Sequence, residues 1–251
     1  MITNSFDNQS EAKINPKPRE NKLTCDACII TFSNIIEDYV LHHYSCKKIG
    51  ELKFVTDPLF VYKLEYKHKI IAFYKTYMGA PTAVGGLEDA TEILDTNKFV
   101  VFGGAGSLDK TISHGKIMVP TYAYRDEGTS YHYATPSDYI KIENAPIVSN
   151  FMKKQHLPFV EGKTWTTDAF YRETLYNFEK RKQDGCISVE MECSALQAVC
   201  NFRNLELYYF LTSGDLLDAP VWDSRKKEND LAGTQHDFMH FEIALELAIS
   251  V

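Results

Sequence analysis

The sequence predicts an α/β protein, a three-layer α/β/α sandwich around a central mixed, mostly parallel sheet. Short apolar runs alternate with helix-period segments over most of the chain. That order is expected when helices cover a sheet buried on both faces. The runs are bounded by Gly, Pro or Asp, as buried strands are. No break in composition suggests a second domain, and 251 residues suffice for one sizeable core.

Met1–Asn21 is polar, carries Pro16 and Pro18, and has no apolar signal-peptide core. It reads as a flexible tail, with residues 22–251 as a single domain. Ala27–Phe32 is an apolar run and reads as the first strand. The segment Ser33–His42 reads as its helix. Val61–Glu65 and Ile70–Tyr74 are the next strands, and Thr82–Asp95 the next helix. Strands follow at Phe99–Gly103, Lys116–Val119 and Phe159–Lys163, with a helix at Ala145–Gln155. Ala169–Gln183, Cys193–Arg203 and His236–Ser250 read as helices, and Cys186–Val189 and Leu207–Thr212 as strands. The last helix shows its period in Phe238, Phe241, Ala244, Leu247 and Ala248. Two long irregular stretches remain, Thr121–Tyr139 and Ala219–Gly233. Loops of that length are often functional.

Composition excludes several classes. A net charge of −7 argues against a nucleic-acid surface as the main business. No stretch approaches the roughly 18 apolar residues that a spanning helix needs, so no membrane partner is expected and the expected location is cytoplasmic. The six cysteines are scattered, which fits reduced thiols better than a disulfide framework. Cys25 and Cys28 form a lone pair without a second pair at zinc-site spacing. His236 and His240 lack the Glu of a His-Glu-x-x-His site. No metal is expected.

Six motifs stand out, five of them at the ends of predicted strands and one in a long loop. Val189-Glu190-Met191-Glu192-Cys193 places two carboxylates around a methionine where a strand gives way to a helix. Such a carboxylate can accept two hydrogen bonds and suits neighbouring sugar hydroxyls. Two solvated glutamates at a helix start are the plain alternative. Phe102-Gly103-Gly104-Ala105-Gly106-Ser107 reads as a small-residue turn with backbone N–H groups open to an anion. It is neither a Walker motif nor a dinucleotide fingerprint. Met78 lies in Tyr77-Met78-Gly79-Ala80-Pro81, where it could pack on a sugar or fill the core. Trp165 and Phe170, in Gly162–Arg172, could stack on a planar base or belong to the core. Asp215 follows an apolar strand and is the carboxylate best placed to move a proton. Arg125, in Arg125–Tyr133, sits in a polar and aromatic loop. The signal is the coincidence of these motifs at one sheet edge.

Together these residues resemble the nucleoside phosphorylase family. The branch in question holds hexameric purine nucleoside phosphorylase, uridine phosphorylase and methylthioadenosine/adenosylhomocysteine nucleosidase. Val189–Glu192 is similar to its Val-Glu-Met-Glu signature, and the likeness runs from about Ile70 to the last helix, while residues 1–60 match poorly. The resemblance implies a phosphorylase/hydrolase-like fold and cleavage of a nucleoside's N-glycosidic bond. It implies Glu192, with Glu190, Met191 and Met78, at the ribose, and Phe170, Trp165 and Gly106 at the base. Asp215 would protonate the leaving purine, with Arg225 as its partner. Gly103, Gly104, Ala105 and Arg125 would form the region of phosphate or another nucleophile.

The family pattern is not complete. The phosphorylases' phosphate arginine is replaced by Val101, and Ile29–Ser33 lacks their Gly-Asp-Pro-x-Arg motif. Lys47, Lys48 or Arg125 could supply another cation. Glu37 stands near the place of the nucleosidases' water-activating glutamate. The uracil-reading Gln and Arg of uridine phosphorylases are Thr174 and Tyr176 here. The expectation is therefore phosphorolysis of a purine nucleoside with inorganic phosphate as co-substrate and no cofactor. Uridine phosphorylase-type activity, hydrolysis and non-catalytic nucleoside binding are the alternatives. The resemblance also implies a homodimer or hexamer.

Overall fold

A computed structural model describes residues 1–251 except 18, 114, 221 and 225–230, and gives only the backbone of residues 231–237. In chain order the elements are β1 (Leu23–Thr24), β2 (Ala27–Thr31), α1 (Asn34–His43), β3 (Lys47–Leu52), β4 (Leu59–Tyr66), β5 (Lys69–Lys75), α2 (Ala80–Ile93) and β6 (Leu94–Asp95). Then come β7 (Lys98–Ser107), α3 (Lys110–Ser113), β8 (Ile117–Asp126), β9 (Tyr139–Lys141), α4 (Ala145–Lys154) and β10 (Phe159–Thr167). The last are α5 (Leu175–Gln183), β11 (Cys186–Glu190), α6 (Cys193–Arg203), β12 (Glu206–Leu216) and α7 (Leu231–Ser250).

The main sheet runs β11-β10-β8-β12-β7-β2-β5-β4-β3, with β9 beside β8. Its middle is parallel: β12 with β7, β7 with β2, and β2 with β5. The β3–β4–β5 edge is antiparallel. The mixed α/β architecture expected from the alternation is the one found. The sheet also curls until β11 pairs antiparallel with β7, through Val189 with Gly106 and Ser188 with Ser107. That contact closes β7, β12, β8, β10 and β11 into a ring.

Several boundaries differ from the sequence expectation, each for a packing reason. The strand expected to stop at Gly103 continues to Ser107, because Gly103–Ala105 pair with Leu211–Ser213 of β12. No small-residue turn exists there. Within the stretch Thr121–Tyr139, residues up to Asp126 prolong β8 as the partner of β10. Pro120 is accommodated because it faces Gly162 where the β8–β10 register shifts, and proline in sheets is confined to such irregularities and edges. β3, whose exposed–buried pattern is weak, was not expected. The helix expected from Ala169 starts at Leu175, after a 3₁₀ turn at Phe170–Arg172. In the first residues, Ile2–Asn4 form a 3₁₀ turn, and the Lys17 and Arg19 N–H groups donate to the Glu92 carboxylate and carbonyl.

The core lies on both faces of the sheet. α6 is buried along Cys193–Cys200, and α7 inserts Phe241 between elements. The Phe241 ring lies 5.4 Å from that of Phe73 and 6.4 Å from that of Phe102. All six cysteines are free thiols. No described helix is long and apolar enough to cross a membrane. Phe241→Ala removes a fully buried ring from the β5–β7–α7 contact and is expected to cost about 3–5 kcal/mol, read as a shift in the urea unfolding midpoint.

Candidate functional site

The carboxyl ends of β7, β10, β11 and β12 converge by register. Thr166 of β10 pairs with Glu190 of β11, and Val189 pairs with Gly106 of β7. On the other side of β7, Ser213 pairs with Ala105 and Leu216 with Ser107. Two residues of β12, Gly214 and Asp215, therefore stand opposite the single residue Gly106. This is a β-bulge, a device that re-aims a side chain. A Cβ at Gly106 would lie 3.2 Å from Asp215 Oδ1 and 2.5 Å from Leu217. Glycine is required there by close approach.

Glu190 and Glu192 play different parts. Glu190 Oε1 accepts the Thr166 hydroxyl at 2.5 Å. Its Oε2 accepts the N–H groups of Glu192 and Cys193 at 2.7 Å and the Tyr209 hydroxyl at 3.2 Å. Burial raises its carboxyl above the usual range, against the pull of those donors. The geometry makes Glu190 a strut that holds the start of α6, rather than the sugar ligand expected. Glu192 precedes α6, and its Oε1 accepts the Gly79 N–H at 2.6 Å. Burial, then the neighbouring Glu190 charge, pushes the Glu192 carboxyl up to about 8.

Around Glu192 the expected residues take distinct positions. Gly79 holds φ +105°, a conformation that favours glycine, just before α2. Its neighbour Met78 is 60% exposed, and Met191 is half-buried. Both are chain neighbours of the two residues joined by the Gly79–Glu192 hydrogen bond. Phe170 is 43% exposed on its 3₁₀ turn, with the Tyr171 ring 4.2 Å away. Asp215 Oδ2 accepts the Trp222 indole N–H at 2.7 Å. Gly103 and Gly104 lie in β7, with Gly103 packed under Phe32.

Three expectations are corrected. Trp165 is 1% exposed and packs with Leu108, Phe178, Cys186 and Val189. Its indole N–H donates to Asp126 at 3.0 Å, so it is core and not a base-stacking ring. Arg125 is also buried. Its guanidinium donates to Ser130, Ser137 and the carbonyls of Ala134 and Thr135, and it stacks on Tyr131. It braces the loop after β8 and is spent for an anion. Lys47 and Lys48 line a groove of about 430 Å³ with Arg19, Lys22 and Lys63. That groove lies at the β3 edge, with β4, β5 and β2 between it and β7. Arg225 lies outside the described residues.

Three further residues were missed by the sequence reading. Lys75, at the carboxyl end of β5, pairs with Glu37 at 2.8 Å and donates to Asn34 at 2.7 Å, with both charged side chains mostly buried. Glu173 follows Phe170 by three residues and is half-buried, and burial, then the Asp215 charge, pushes its carboxyl up to about 7. Trp222 marks Asp215 from a stretch without periodicity. A lysine directly after an apolar strand was the legible signal for Lys75.

The raised Glu192 carboxyl has a stability consequence. A carboxyl raised on folding contributes stability that is present below its unfolded value and is lost as pH rises through the folded one. Glu192→Gln removes that loss, so its thermal midpoint is expected to fall less than the wild type's between about pH 4.5 and pH 8. Thermal melts across that range check the sign.

A profile of the phosphorylase superfamily matches residues 30–239. A 5′-methylthioadenosine/S-adenosylhomocysteine nucleosidase of Buchnera aphidicola is 25% identical over 209 residues, 78% of this chain and 86% of that protein. A DeoD-type purine nucleoside phosphorylase of Exiguobacterium sibiricum is 23% identical, over 74% of this chain and 78% of that one. An uncharacterised protein of Acanthamoeba polyphaga mimivirus is 28% identical over 60% of this chain, a match spanning 58% of its own length. In fold, the chain superposes on the crystal structure of uridine phosphorylase from Vibrio fischeri with a TM-score of 0.73 and 21% identity, covering 98% of this chain and 100% of that one. With the profile spanning most of the sequence, from β2 into α7, the chain belongs to the phosphorylase superfamily.

Proposed function

We propose that this protein cleaves the N-glycosidic bond of a purine nucleoside. The observation that carries this reading is Glu192, a buried carboxyl fixed by the Gly79 N–H beside Met78 and Met191. Its two oxygens offer several hydrogen-bonding positions, of which the Gly79 N–H takes one. The remainder suit the vicinal hydroxyls of ribose. Phe170 offers its half-exposed ring to the base, and Asp215 stands on the bulge as the group that manages the leaving base's proton. Cleavage develops positive charge on the sugar, and protonation of the purine ring nitrogen makes it a better leaving group. A pyrimidine has no such nitrogen, so Asp215 supports a purine over uridine-type activity.

Phosphate and water compete as the attacking group. The name of the superfamily and the similarity to a purine nucleoside phosphorylase support phosphorolysis, with phosphate as the co-substrate. One observation favours the second reading, hydrolysis. Val101, at the place of the phosphate arginine, is fully buried, Arg125 is committed to its loop, and Lys75 is neutralised by Glu37. A phosphate dianion would meet the Glu37 carboxylate, whereas a water there would find an acceptor for its proton. Non-catalytic nucleoside binding remains the reading from a different class.

Residues 22–251 are proposed to act as one domain in a cytoplasmic homodimer or hexamer, and light scattering tests the assembly. Base release from a panel of purine nucleosides, with and without phosphate, tests the chemistry. Phosphorolysis requires ribose 1-phosphate as product and arrest without phosphate, and equal rates in both buffers assign hydrolysis. Asp215→Asn is expected to lower kcat by about 10²–10⁴-fold. Tight binding without turnover in the wild type would make this a binding protein.

A further inference from the structure

Trp222 is a large aromatic that the fold leaves 66% exposed, yet its indole N–H is committed. It donates to Asp215 Oδ2 at 2.7 Å. An exposed N–H can be satisfied by water, so burial does not demand this bond. Trp165, by contrast, is buried and needs its acceptor on Asp126. The backbone builds the Trp222 contact. The Leu216 N–H donates to the Asp223 carbonyl at 2.8 Å, and the Asp223 N–H returns to the Leu216 carbonyl at 3.3 Å. Asp215 and Trp222 each directly precede a residue of that bridge. Between them the chain is tied down twice. The Leu217 N–H donates to the Ser107 carbonyl of β7 at 3.1 Å, and Asp218 pairs with Lys182 of α5 at 3.2 Å. The indole is therefore held against the carboxyl by ties to β7, α5 and the end of β12.

The contact makes the two oxygens of Asp215 unequal. Oδ2 accepts from Trp222, while Oδ1 lies toward Gly106 of β7, 3.2 Å from where a Cβ on that glycine would stand. An indole N–H is a donor only and carries no charge. It fixes Oδ2 as an acceptor and leaves Oδ1 as the oxygen to carry a proton. We propose that Trp222 is a positioning residue for Asp215, aiming Oδ1 at the ring nitrogen of the leaving purine. The inference rests on the cleavage reading above and adds which oxygen delivers the proton and what aims it. In the step, the Oδ1–H bond breaks and its proton moves to the purine ring nitrogen. The bond from C1′ to the base breaks, and its electron pair goes to the base. The attacking water or phosphate oxygen bonds to C1′, and the proton it loses restores the acid by way of solvent. The carboxylate left behind keeps the Trp222 N–H on Oδ2, and a hydrogen bond to an ionised acceptor is the stronger kind.

Two measurements test the role, the first of them independent of turnover. The chain has two tryptophans, so NMR of protein made with isotope-labelled tryptophan shows two indole N–H signals, and Trp222→Phe assigns them. The Trp222 signal is expected downfield of an indole in water, and Asp215→Ala should return it there. A signal already at the position of an indole in water, and unmoved by Asp215→Ala, overturns the proposal. The second measurement compares the best-cleaved purine nucleoside with its N7-methyl derivative. The methyl group already occupies and charges the nitrogen that the acid would protonate, so this leaving base needs no proton. On the parent nucleoside, Trp222→Phe should lower kcat about 10-fold or more with KM little changed, since misplacing a reacting group by about 1 Å can cost about 10²-fold. On the methylated nucleoside the variant should keep the wild-type rate. An equal loss on both substrates assigns Trp222 to structure or base binding and overturns proton aiming, as does an unchanged rate on both. A Trp222 signal that answers to Asp215 in a protein that cleaves no purine nucleoside overturns the cleavage reading, and the aiming role with it, and leaves the hydrogen bond standing.

Discussion

The candidate site depends on how one buried carboxylate is satisfied. Glu190 ties three elements together: Thr166 from β10, Tyr209 from β12, and the first N–H groups of α6. A buried carboxylate without partners is costly, and one with four donors rigidifies its surroundings. Here the reward is positional. The Glu192 N–H is among the donors, so the backbone of the residue proposed to hold the sugar is pinned by the residue two positions before it. The network continues beneath the helix. Ser194 donates its N–H to Thr166 and its hydroxyl to Glu127. The first turn of α6 is therefore held from below by side chains of β10 and the loop after β8.

This explains why two glutamates one residue apart are not interchangeable. The strand-end geometry turns Glu190 inward to cap the helix, while Glu192 accepts from Gly79 at the start of α2. The sequence spacing marked both as site residues and could not divide the labour, because hydrogen-bond partners from β12 and β10 are distant in the chain.

What was legible and what was not follow the same logic. Alternating apolar runs marked the strand ends well enough to propose Glu192, Met78, Phe170 and Asp215 for one site, since strand ends are marked locally by a change of residue type. Trp165 and Arg125 misled because their residue types suit both a pocket and an interior. A tryptophan on a strand inside a curled sheet finds a core where an open sheet offers a cleft, and the curl rests on the pairing of Val189 with Gly106, which no local pattern encodes. Likewise, Gly103–Ser107 carries turn residues, yet it is strand because β12 and β11 crowd it from two sides. Lys75 escaped notice because it gains meaning only from a partner on another element, Glu37.

The closed ring of strands has a mechanical meaning. Glu190 and Asp215 both ride on strands that pair within the ring, so their separation is fixed by backbone ladders on every side. Outside those ladders lie the Met78–Gly79 entry to α2 and the short turn bearing Phe170. The hydrogen bond from Gly79 to Glu192 therefore ties the end of a ring strand to a stretch that the ring itself does not fix.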